Sequence, residues 1–262
     1  MSMNKRYDMQ INIANELRDN YFNFKQNQPS IIEPINYPIS LRETRVQLIN
    51  WLIFLCDNLN FSIQTLYRSV IIFDQYISKK KNVIFTQEKL KLIAIASLSL
   101  GTKLEEINCN YTAFFTEKVL NSPQCQIYKK SDLTKMEFEI LKKLNFKTLY
   151  STAFDFYSIY FQLFKFYCNK NEYLCENFKQ VYEAQIKNYL LNEMFIAMSQ
   201  NEIAYIAFAN CFNYMGINTN LFKNIENLLL GSFLCNANKK ENIGTYNLNM
   251  SNKCNFLALR SL

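Results

Sequence analysis

The clearest pattern in the chain is the stretch TQEKLKLIAIASLSLGTKLEEI, Thr86 to Ile107, apolar on every side through its middle and charged at its end. From Leu90 to Leu100 it holds Leu, Ile, Ala and Ser with one Lys, and a helix that is apolar all round belongs in the interior of a bundle. Ala94, Ala96, Ser97, Ser99 and Gly101 are small enough to let neighbouring helices approach closely. Thr86 is the expected N-cap, with Glu88 in the first turn where the helix dipole favours a negative charge. Lys103, Glu105 and Glu106 arrive within a turn of the dry segment, as either a solvated helix end or a contact surface.

Other helices follow the same spacing rule. Residues 7–26 carry Ile11, Ile13, Leu17 and Phe24 among polar side chains, and Pro29, Pro34 and Pro38 then impose an extended connector up to Ser40. A helical repeat runs from Leu41 to about Asn58, and another, capped by Ser62, reaches Ser78 before a solvated loop of Lys79, Lys80, Lys81 and Asn82. A short helix is expected around Tyr111 to Leu120, then a loop through Asn121 to Cys125. The next helix opens at Ser131 and Asp132 and ends near Leu144. Beyond Tyr150, where a domain boundary is placed, come an aromatic helix from about Phe154 to Phe166, one over Glu172 to Leu191, and one over Asn201 to Met215 closed by Gly216. The last of these, with Ile203, Ala204, Ile206, Ala207, Phe208, Ala209 and Cys211, looks like the axis of a second bundle. Asn220 to Leu230 gives one more helix, and Cys235 to Asn255 is an Asn- and Lys-rich tail with little pattern.

Composition narrows the class. Four Gly and four Pro in 262 residues are too few for an all-β sandwich or a Gly-rich nucleotide loop, so the chain is expected to be all-α. With no histidine, most general-base, triad and zinc chemistry is disfavoured. Eight Cys without a C-x-x-C pair, several in apolar helices, read as free, buried thiols in a reducing compartment. The first ten residues lack the apolar run of a signal peptide and no stretch is long enough to span a bilayer, so the expected setting is intracellular, nucleus or cytoplasm, without membrane. The net charge of +7 comes mainly from scattered Lys, with only six Arg, which reads as solvated helix faces rather than a nucleic-acid surface.

In order and spacing, TRVQLINWL (44–52), TLYRSVIIFDQYIS (65–78), LKLIAIASLSLGTKLEEI (90–107) and TKMEFEILKKLNF (134–146) resemble a cyclin box. Five positions that the family keeps most strictly have matches in register: Arg45, Asp74, Leu92, Lys103 and Glu137. The stretch ANELRDNYFNFKQNQP is similar to the N-terminal helix of A- and B-type cyclins, and NEIAYIAFANC to the central helix of their second fold. The resemblance implies two tandem five-helix cyclin-like bundles with an N-terminal helix, divided as 1–40, 41–150 and 151–262.

Cyclins do no chemistry themselves. The resemblance therefore implies no catalytic residue, no cofactor and no metal, but a regulatory subunit that binds a cyclin-dependent protein kinase as a 1:1 heterodimer and sets its αC helix and activation loop. The positions matching Lys103 and Glu137 lie side by side on the kinase-facing surface of cyclins and hydrogen-bond to the kinase backbone. Phe146 matches a position that packs on the same element. Glu105 and Glu106 are read as solvated or as secondary contacts at the partner's edge, Arg45 and Asp74 as a buried structural pair, and Leu92 as core. Many cyclins also carry a docking patch for substrates or inhibitors, written Met-Arg-x-Ile/Leu-Leu-x-x-Trp. Here the matching residues are Thr44, Gln47, Leu48 and Trp51, on one helix face but half polar. Two other readings use the same fold: an interaction scaffold without kinase activation, and a transcription-factor-IIB-like adaptor that would need a concentrated basic face.

Overall fold

Thr86 and Ser62 each start a helix with their own hydroxyl: Thr86 Oγ1 accepts from the Lys89 N–H at 3.2 Å and Ser62 Oγ from the Thr65 N–H at 3.2 Å. The structure is a computed structural model. It describes residues 3–32, 41–80, 83–106, 115–122, 125, 127–168, 171–192, 196–217, 220, 223 and 225. All of these lie in one compact unit, Met1–Leu229, while a second unit, Leu230–Leu262, falls outside the described residues, and so does the expected Asn-rich tail. Every regular element among the described residues is a helix, as the scarcity of turn formers requires.

The elements are α1 (Met3–Gln26), α2 (Arg42–Leu59), α3 (Ile63–Ser78), α4 (Gln87–Glu105), a one-turn π-helix (Thr116–Leu120), α5 (Lys130–Lys143), α6 (Ala153–Tyr167), α7 (Glu172–Leu191) and α8 (Gln200–Met215). α1 begins four residues earlier than its apolar spacing suggested. α5 opens one residue ahead of Ser131, because Asp132 is not its cap; its carboxylate reaches back to the Lys129 N–H at 3.0 Å. Of the helix expected around Tyr111 to Leu120, only the π-turn and Phe115 fall among the described residues, and Pro34 and Pro38 lie outside them.

α4 is the axis of the first group of helices. From Ile93 to Thr102 every residue is buried, with α2, α3 and α5 packed around it. Gly101 permits the closest approach. A Cβ there would overlap Ser69 Oγ and sit 3.0 Å from the Thr65 carbonyl oxygen of α3. α8 packs against α6 and α7 and buries one face, with Ile203, Ala204, Ala207, Phe208, Cys211 and Phe212, while Ile206 and Ala209 are only half-buried. Its burial among the described residues is thus one-sided, unlike that of α4. Gly216 closes it at φ 62°, as its sequence position suggested.

Rings fill the space between α6, α7 and α8: Phe164 stacks on Phe178 at 3.9 Å between centroids, and Phe208 lies 4.9 Å from Phe212. α1 is stitched to this layer. Tyr21 meets Phe156 edge-on at 5.7 Å, its hydroxyl accepts from Asn201 Nδ2 at 3.0 Å, and the Asn27 carbonyl accepts from the Ser151 N–H at 2.9 Å. The α3 side holds on through Tyr67, whose hydroxyl donates to the Ile186 carbonyl of α7 at 2.6 Å.

Candidate partner-binding surface

Three ionic clusters fix the end of α4 and its neighbours. The first joins Lys103, in the last turn of α4, to Glu137 on α5. The ammonium donates to both carboxylate oxygens, at 2.6 and 2.7 Å, and Ser99 Oγ donates to Oε1 at 2.5 Å. Glu137 is 10% exposed at its side chain and Lys103 37%, so a buried acceptor is presented to solvent through an open donor. Ser99 lies one turn before Lys103 on α4, and this spacing lets both side chains meet one carboxylate.

Exposed apolar side chains flank the pair in sequence. Leu104 follows Lys103, Phe138 follows Glu137 and is 59% exposed, and Phe146 beyond the end of α5 is 64% exposed. Phe146 sits at φ 59° and Asn145 at φ 53°. The Phe146 N–H closes onto the Leu141 carbonyl at 2.8 Å, a left-handed helix ending that glycine ordinarily makes, here carried by an aromatic residue at a cost of about 1 kcal/mol.

Of the two readings of Glu105 and Glu106, solvated or secondary contacts at a partner's edge, the second cluster corrects the first. Arg68 of α3 donates through Nε to Glu105 Oε1 at 2.6 Å and forms a close ion pair with it through a second nitrogen, while its third reaches the Tyr150 carbonyl. Glu106 Oε1 accepts from the Ser62 N–H at 2.8 Å and from Thr65 Oγ1 at 2.6 Å, placing a carboxylate on the N-terminus of α3 where the helix dipole favours it. Both acids are half-buried and clamp α4 to α3, because each faces donors at that helix.

In the third, Arg45 of α2 and Asp74 of α3 make a bidentate pair at 2.8 and 2.7 Å, both buried. The remaining Arg45 nitrogen donates to the Leu190 carbonyl of α7 at 2.9 Å, so this pair also reaches the second group of helices. Leu92 is half-buried, packed on the core from its edge.

On α2, Leu48 is fully committed to the core, Trp51 and Thr44 are half-buried and Gln47 is exposed. Phe54, one turn beyond Trp51, is 58% exposed; its i+3 spacing from Trp51 was the available signal for it. Five cysteines are described, all as free thiols. Burial pushes their thiols up, Cys56 and Cys211 to about 12 and Cys168 to about 11, so they stay protonated and offer no ready nucleophile. Among the described residues no helix is long and apolar enough to cross a membrane, and no cluster of side chains could hold a metal ion.

Residues 12–149 match the family model for the cyclin N-terminal domain, and the chain belongs to the cyclin family. Over 130 residues it is 28% identical to G1/S-specific cyclin-E1 of Gallus gallus, covering 48% of this chain and 30% of that protein. With Cyclin-B2-1 of Arabidopsis thaliana it shares 32% over 127 residues, covering 47% of this chain and 28% of that one. The chain thus spans less than a third of the length of these relatives. The X-ray structure of a viral cyclin from herpesvirus saimiri superposes with a TM-score of 0.56 over 73% of this chain and 86% of that chain, at 18% identity, which shows a shared fold.

Proposed function

We propose that this chain is the regulatory subunit of a cyclin-dependent Ser/Thr protein kinase, binding it as a 1:1 heterodimer and holding its αC helix and activation loop in the active arrangement. The observation that carries this reading is the Lys103–Glu137 pair, locked by Ser99, with exposed Leu104 and Phe138 next to it in sequence and exposed Phe146 just beyond α5. A fixed donor and acceptor accompanied by exposed apolar side chains is the combination from which the centre of an interface is built. Two of the three ammonium protons are taken by Glu137, which leaves one for a partner carbonyl, and the carboxylate keeps lone pairs for a partner N–H. Activation is then a population shift: the chain binds one kinase conformation better than the other and draws the kinase into it.

In this reading residues 41–150 form the box that carries the kinase face, 151–262 the second fold, and 1–40 the segment that braces the two. Glu105 and Glu106 support the face from behind by fixing the α4 terminus. Substrate docking on α2 is a lesser role, resting on the edge of Trp51 and on Phe54, since Leu48 is spent in the core. Such a subunit works inside the cell, in nucleus or cytoplasm. Affinity capture of the tagged chain from its own cells, followed by mass spectrometry, should recover a protein kinase in stoichiometric amount. Recovery of only non-kinase proteins would support a scaffold or adaptor instead.

A further inference from the structure

At the far end of α4 from Lys103, residues Val83–Thr86 ahead of α4 border a crevice of about 280 Å³ with an unusual lining. Ile84 on its wall is 98% exposed and Val83 43% exposed, next to half-buried Phe85. Two adjacent β-branched apolar side chains left in water are explained neither by the core nor by the surface around Lys103.

The polar side of the crevice is built around Glu139 of α5. Its carboxylate accepts from the Tyr76 hydroxyl at 2.5 Å, from Lys80 at 2.8 Å and from Lys89 at 3.5 Å. Lys80 also lies over the Tyr76 ring at 5.4 Å. One carboxylate thus holds two ammonium groups in place, and the trio keeps a net positive charge. Each ammonium has three N–H groups and gives one to Glu139, leaving donors for an incoming anion. Exposed Lys79 adjoins Lys80, and exposed Lys135, Lys142 and Lys143 lie one turn from Glu139 along α5, against exposed Glu88 at the start of α4.

From this charge complementarity we infer that the crevice docks an acidic, hydrophobic linear segment of a partner protein: a large apolar side chain against Val83, Ile84 and Phe85, with flanking carboxylates on Lys80 and Lys89. The site is separate from the Lys103–Glu137 surface. It would let the chain hold a second protein while that surface is occupied.

A fluorescein-labelled peptide, Glu-Asp-Glu-Leu-Phe-Glu-Asp-Glu, titrated with the full chain and followed by anisotropy tests this. Binding should be saturable, weaken at least about fivefold when salt rises from about 0.05 M to about 0.3 M, and fall at least about fivefold in Ile84→Ser. Because Ile84 is almost fully exposed, that variant should keep the far-ultraviolet spectrum and melting point of the parent. Lys89→Gln should weaken binding as well, and peptides with Ser for Leu-Phe or Lys for the acids should lose it. Equal binding by the parent and Ile84→Ser, or by the Lys-flanked peptide, would overturn the inference. So would self-association of the chain that Ile84→Ser abolishes, since the occupant would then be a second copy. Lys103→Ala should leave peptide binding unchanged, so this inference and the kinase reading can fail independently.

Discussion

Arg68 and Glu105 form an ion pair largely removed from water, with side chains 10% and 18% exposed, that ties the last turn of α4 to the middle of α3. Removing one partner leaves the other charge poorly solvated. Glu105→Ala should therefore cost about 2–4 kcal/mol in urea unfolding, where a solvated surface acid would cost less than about 0.5 kcal/mol. A loss in the second range would mean that the clamp contributes nothing.

Gly101 gives a sharper packing test. In an exposed helix Gly→Ala gains about 1 kcal/mol, but here the new methyl overlaps Ser69 Oγ and presses on the Thr65 carbonyl. Gly101→Ala should lower stability by about 1–3 kcal/mol in thermal melts, with partial recovery on adding Ser69→Ala. An unchanged or higher melting temperature would show that α3 and α4 can separate freely.

Phe146 sets stability against binding. Its left-handed backbone is strained for a residue with a Cβ, and its ring is mostly in water. Phe146→Gly should raise the stability of the isolated chain by about 0.5–1 kcal/mol while weakening kinase binding at least about tenfold. If both quantities fell, the ring would be serving the fold rather than an interface.

Glu139 gives the pH dependence. Burial pushes its carboxyl up, but hydrogen bonds from Lys80 and Tyr76 and the charges of Lys89 and Lys80 together outweigh it and bring it down to about 2, from an ordinary 4.5. A carboxyl lowered by folding contributes stability that is fully present above its unfolded value and is lost as pH falls through the folded one. Stability should decline between pH 4.5 and about 2, and the decline should be shallower in Glu139→Gln, as followed by urea midpoints across that window. Parallel curves for parent and variant would show that Glu139 does not set the acid limb of stability.

Much of this was legible in the residues. α4 is written in an eleven-residue stretch with a single charge, Lys91, after a Thr cap, α7 in a repeat that matches its observed limits, and the end of α8 in Gly216. Arg45, Asp74, Lys103 and Glu137 could be paired only through the cyclin resemblance, because partners 29 and 34 positions apart leave no local trace. Glu105 and Glu106 show the opposite case. A charge at the end of a helix looks solvated unless the donors facing it are known, and Arg68, Ser62 and Thr65 come from another helix. The exposure of Ile84, 98%, was hidden for a related reason. An apolar residue just ahead of a helix cap carries no local mark of whether a neighbour covers it, and only the packing decides.

In the proposed complex the Lys103–Glu137 pair is a kinase contact. Calorimetric titration of a cyclin-dependent kinase captured with the chain tests it most directly, comparing the parent with Lys103→Ala/Glu137→Ala and with the milder Glu137→Gln, each checked for unchanged helicity. Binding should be 1:1 and should weaken by about 2–4 kcal/mol in the double variant, roughly 30- to 1000-fold, and by a smaller amount in Glu137→Gln. Binding within about threefold of the parent in a folded double variant would contradict it.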